Sequence, residues 1–123
     1  MTAVTRSLVV KVTCGTDDPE RCNQAFTVAA TAAASGVPVS LWLTGEAAWF
    51  ALPGRAAELD LPLGTPLTEL LHTVLSLGSV NVCSQCAARR DIWEKDLVAG
   101  VRIAGAPVFV EEVMAEHAQA LVY

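Results

Sequence analysis

At 123 residues the chain is one domain's worth of polypeptide, enough for a core without disulfide staples and too short for two ordinary domains. A hydrophobic content of 53% against 17% charged residues excludes a disordered chain, and it is high enough that some apolar surface is expected to be shared in a homo-oligomer. The net charge of -5, with arginines scattered except at Arg89-Arg90, leaves no basic face for a run of phosphates, so nucleic acid is excluded as the expected partner.

In chain order, Ser7 to Thr13 is a short β-rich run. It leads into Cys14-Gly15-Thr16-Asp17-Asp18-Pro19, where Asp18 suits a helix cap and Pro19 the first helical position. An alanine-rich helix is expected to about Ser35, ended by Gly36, then a strand over Val37 to Leu43 and a short helix over Glu46 to Leu52. The stretch from Pro53 to Pro66 is long for a connection and reads as a lid or interface loop. Leu67 to Leu77 has leucines at helical spacing, Val80 to Cys83 is the third strand, and a helix begins near Ser84. Val101 to Ala104 is a fourth strand, Pro107 opens a helix to about Gln119, and Ala120 to Tyr123 makes a short closing strand. Strands alternate with helices throughout, which predicts a single α/β domain with a parallel sheet and helices on both faces.

The uncharged stretch from Ala25 to Leu43 is cut by Ser35-Gly36-Val37-Pro38 into pieces shorter than a bilayer needs. Lys11 interrupts the apolar run Leu8-Val9-Val10, so no signal peptide is expected and the location is read as cytoplasmic. In a reducing compartment the four cysteines read as reactive or metal-binding thiols, or as small buried hydrophobes, rather than as a disulfide framework.

All four cysteines fall at the edge where the strands of a parallel sheet end: Cys14 after the first strand, Cys22 in the following helical turn, Cys83 ending the third strand and Cys86 one turn on. Free N–H groups and the partial positive charge at a helix start favour a thiolate at Cys83. Cys83, Cys86 and Arg90 share a helical face, which puts a guanidinium beyond the thiols; Arg90 paired with Glu94, and Asp91 with Lys95, is the plain surface alternative. At Cys22, a candidate supporting residue, Asp17, Asp18 and Glu20 oppose a thiolate while the helix start favours it. His72 is expected to be a surface or packing residue, His117 to lie near a helix C-terminus where a cation is favourable, and Trp42 and Trp93 to be core or interface residues. Gly15, Gly45 and Gly105 lack the spacing of a dinucleotide loop.

Val82-Cys83, followed six and seven positions after the cysteine by Arg89-Arg90, resembles the signature of the DsrE/DsrF-like sulfur-relay proteins, and the order of elements along nearly the whole chain is similar to that family's. The resemblance implies a three-layer α/β/α domain with about five parallel strands, assembled as a trimer or hexamer. It also implies that Cys83 carries persulfide sulfur between donor and acceptor proteins, as transfer rather than turnover, with Arg89 and Arg90 in support. Cys86 departs from the single-cysteine pattern of such carriers, because it could attack a Cys83 persulfide, releasing sulfide and closing a disulfide. Two alternatives stay open: a zinc module held by Cys14, Cys22, Cys83 and Cys86, of which only the Cys-x-x-Cys half has standard spacing, and a dithiol redox protein. In thioredoxins, however, the motif comes early, after an aromatic residue, whereas here it comes late and follows Val82.

Overall fold

Ser7–Val12 (β1), Val39–Leu43 (β2), Ser79–Cys83 (β3), Val101–Ala104 (β4) and Ala118–Val122 (β5) form one sheet of order β4-β3-β2-β1-β5. Every neighbouring pair is parallel. The structure is a computed structural model describing residues 5–123; residues 1–4, the head of the expected domain, lie outside the described residues. The chain steps from β1 to β4 in one direction and then returns across the sheet to β5. Right-handed crossovers therefore put the helices Pro19–Ala34 (α1), Leu67–Leu77 (α2) and Ser84–Arg89 (α3) on one face and Ala106–Val113 (α4) on the other. The molecule is a three-layer α/β/α domain.

Side chains alternate along each strand, so the register decides what each face carries. Towards α1 and α2 the sheet presents Val10, Val12, Leu41, Leu43, Val80 and Val82, all buried. The Asp18 carboxylate accepts from the N–H of Arg21 and caps α1, with Pro19 opening the helix. The buried stripe Cys22, Ala25, Phe26, Ala29, Ala30 and Ala33 follows helical spacing. Its alanines let the backbone approach closely, while Phe26 fills the remaining space edge-on against Phe50 at 6.0 Å.

The other face is built differently. Lys11, Trp42, Asn81 and Arg102 form one row across four strands. Asn81 is fully buried and satisfied: its Oδ1 accepts from Arg102 and its Nδ2 donates to Ser40. Helix α4 covers part of this row, with Phe109 edge-on to Trp42 at 5.4 Å and Glu112 accepting from the Trp42 indole N–H. No residue of α4 or β5 is buried.

Three elements differ from expectation. The helix expected from Pro107 to Gln119 stops at Val113, because His117 adopts φ 67 and turns the chain so that Ala118–Val122 pairs along β1. Gly45–Ala51 is a 3-10 segment, and the Pro53 to Pro66 stretch contains a 3-10 turn at Ala56–Glu58. That stretch packs against α1 and α2, where Asn23 donates to the Thr65 carbonyl.

Candidate functional site

β3 ends at Cys83, which is also the residue preceding the first turn of α3. This handover fixes the chemistry of its sulfur. Burial pushes the thiol up, but the N–H and thiol of Cys86, the N–H of Gln85 and the charge of Lys11 outweigh it and hold Cys83 below the ordinary thiol value of 9.0. Cys83 makes no side-chain cap hydrogen bond to the first turn of α3. Cys83 is half-buried, and the pairing of Cys83 with Ala104 puts it on the sheet face that carries Lys11 and Trp42.

Cys86 is buried one helical turn on, and its Sγ accepts from the N–H of Gly45 at 3.3 Å. Gly45 has φ 53, and a Cβ there would lie 2.5 Å from the Thr13 carbonyl oxygen, so the sharp turn after β2 requires glycine. The next residue, Glu46, is gripped by Arg90, whose Nη2 and Nε donate to one carboxylate oxygen at 2.8 and 3.2 Å. Arg90 also donates to the Cys86 carbonyl at 3.1 Å. The arginine thus ties the end of α3 to the loop after β2 and holds the Gly45 N–H on the Cys86 sulfur. The Arg90–Glu94 pair of the plain surface alternative is not found: α3 ends at Arg89 and Asp91 adopts φ 55, so Arg90 and Glu94 no longer share a helix, and Arg90 pairs with Glu46 instead. Arg89 is exposed.

Cys14 and Cys22 belong to another environment. β2 lies between β1 and β3, so the two cysteine pairs sit at separate places along the same sheet edge. Both are buried in the core. Burial, then Asp18 and Asp17, push the Cys14 thiol up; burial, then Cys14 and the two aspartates, push Cys22 up further. Among the described residues no group of three or more His, Cys, Asp or Glu side chains is placed to hold a metal ion. The four-cysteine zinc alternative is not favoured, because the intervening strand and the burial of Cys14 and Cys22 keep the halves apart.

Trp42 belongs to the core, whereas Trp93 is 60% exposed. Trp49 lies beside the guanidinium groups of Arg55 at 4.5 Å and Arg90 at 5.9 Å. His72 is exposed on α2 beside a small apolar cavity lined by Leu52, Leu71, Leu75 and Val98. His117 lies in the turn before β5 rather than at a helix end. Three residues of the site carry no signal in the cysteine motif. Lys11 is a charge inside an apolar strand, set on the same side as Cys83. Gly45 and Glu46 are the glycine and acid that follow a strand aimed at the same edge.

Fold and site together define a class: a parallel α/β domain with a thiol held below its ordinary value where a strand passes into a helix. The model of the DsrE/DsrF-like family matches residues 6–120, and the chain belongs to that family. It is 33% identical over 111 residues to the uncharacterized protein MJ0760 of Methanocaldococcus jannaschii. That match takes in 88% of the chain but only 40% of the relative's length. The fold is that of the YchN protein from E. coli, with TM-score 0.80 at 17% identity over 97% of this chain and all of that one. It is also similar to MTH1491 from Methanobacterium thermoautotrophicum, a protein of unknown function, with TM-score 0.66 at 11% identity over 98% of this chain and all of that one. Among the described residues no helix is long and apolar enough to cross a membrane.

Proposed function

We propose that the protein is a sulfur-relay carrier in which Cys83 accepts sulfane sulfur from a donor protein's persulfide and passes it to an acceptor protein. The observation carrying this is that Cys83, half-buried at the strand-to-helix turn, is the cysteine whose thiol is held below its ordinary value, whereas Cys14 and Cys22 are buried and pushed up. The Cys83 thiolate attacks the outer sulfur of the donor persulfide. A new S–S bond forms on Cys83, the donor's S–S bond breaks, and the electron pair leaves with the donor thiolate. The groups that favour the Cys83 thiolate also favour the persulfide anion that results. Family membership supports protein partners of the sulfur-relay kind. Four free cysteines suit a reducing, cytoplasmic setting, and the exposed apolar outer side of α4 suits assembly with further copies of the chain.

Incubated with a cysteine desulfurase and cysteine, the protein is expected to gain the mass of one sulfur atom on intact-mass analysis, and Cys83→Ala to gain none. If wild type stays unloaded while a known carrier in the same mixture is loaded, the assignment fails.

A further inference from the structure

We infer that Cys86 is a resolving thiol that discharges the Cys83 persulfide as sulfide, so that the domain releases sulfur reductively as well as relaying it. This rests on the sulfur-carrier assignment of Cys83 and adds to it a second outcome for the bound sulfur.

The placement of the two residues carries it. Cys83 precedes the first turn of α3 and Cys86 is the third residue within it, so they stand one above the other. Side chains three apart on a helix have Cβ atoms about 5–6 Å apart, within roughly 1–2 Å of disulfide spacing. Cys86 is also held in place, with the Gly45 N–H on its sulfur and Arg90 on its carbonyl, itself anchored to Glu46. Cys86 is 9% exposed, where outside thiols reach it poorly and Cys83 lies one helical turn away.

In the step, Cys86 Sγ attacks Cys83 Sγ, the inner sulfur of the persulfide. The Cys83–Cys86 disulfide forms and the bond from Cys83 to the sulfane sulfur breaks. The electron pair leaves on that sulfur, which takes up the Cys86 proton and departs as hydrosulfide. The sulfane sulfur gains two electrons and the two cysteine sulfurs supply one each, so no outside oxidant is needed. An external dithiol then reduces the disulfide and resets the site. An acceptor protein that attacks the outer sulfur first takes the sulfur intact; without one, it leaves as sulfide.

The test uses reduced full-length protein loaded with inorganic polysulfide, freed of excess reagent, and followed by intact mass and sulfide detection. Wild type is expected to release sulfide in step with loss of the persulfide, leaving the peptide that contains both Cys83 and Cys86 lighter by two hydrogens. Cys86→Ser, whose hydroxyl can still accept from Gly45, is expected to hold its persulfide at least about tenfold longer. If wild type holds the persulfide as long as Cys86→Ser and releases no sulfide, Cys86 is not resolving and the carrier assignment stands. If neither protein loads on Cys83, with Cys83→Ala as the blank, the carrier assignment fails and this inference falls with it. Sulfide release and the disulfide are read on wild type itself, so the result does not depend on the variant folding.

Discussion

Lys11 and Cys83 are seventy-two positions apart in sequence, yet parallel pairing through β2 and β3 sets them on one sheet face, and the lysine's charge helps to hold the Cys83 thiol down. Lys11→Met is therefore expected to move the midpoint of Cys83 alkylation to higher pH and slow the reaction at neutral pH. An unchanged profile would remove Lys11 from the site. The sign reverses for Cys22, whose thiol is pushed above the ordinary 9.0. The unfolded chain loses that proton as pH rises past the ordinary value while the native chain keeps it, so stability is full below that pH and falls above it by about 1.4 kcal/mol per pH unit per such group. Urea unfolding between neutral pH and pH 10 is expected to show the loss, and Cys22→Ala to flatten it. The reactive position was legible because Cys83 carries its own sequence context: an apolar strand, a helix start and two arginines. The partners that tune it were not, since Lys11, Gly45 and Glu46 reach it only through sheet order and loop packing.

At the scale of elements, the loop after β2 decides how the cysteine turn is held. Gly15 and Gly45 mark its close approaches: a Cβ at Gly15 would meet the Glu46 carbonyl at 2.8 Å, and one at Gly45 the Thr13 carbonyl at 2.5 Å. Gly45→Ala combines that clash with a positive φ, so it is expected to destabilise the fold by more than about 1 kcal/mol. It is also expected to speed alkylation of Cys86 by displacing the loop that helps to bury its sulfur; a native-like urea midpoint with Cys86 still protected would rule the clamp out. Arg90→Met should loosen the same clamp with little loss of stability, because Glu46 is 42% exposed and such pairs contribute little. Most elements were readable from local pattern, including the Asp18-Pro19 helix start and the strand ending at Cys83. The closing segment was misread because its residues extend a helical pattern as well as they form a strand. What decides it is the turn at His117 and the unpaired edge of β1, neither visible locally.

Over the whole molecule, three crossovers go one way and one returns, so one sheet face is packed under three helices and the other under α4 alone. Composition anticipated surplus apolar surface without locating it; the topology locates it, because the lone return helix presents a side that no other described residue covers. Val110 on α4 and Met114, the residue that caps its end, lie four apart and are 53% and 77% exposed, and Val122 on the edge strand β5 is 64% exposed. An edge strand and an apolar helix stripe at one margin of a parallel sheet are what a second copy would cover. Sedimentation of wild type is therefore expected to give an oligomer, and replacing both Val110 and Met114 with Glu to give a smaller species with unchanged circular dichroism. That variant should still load sulfur on Cys83, because the cysteine turn is built from the loops after β2 and β3 rather than from the outer side of α4. A monomeric wild type would mean that the exposed stripe serves the donor or acceptor protein instead, and the same double substitution would then slow sulfur transfer without touching the reactivity of the isolated thiol.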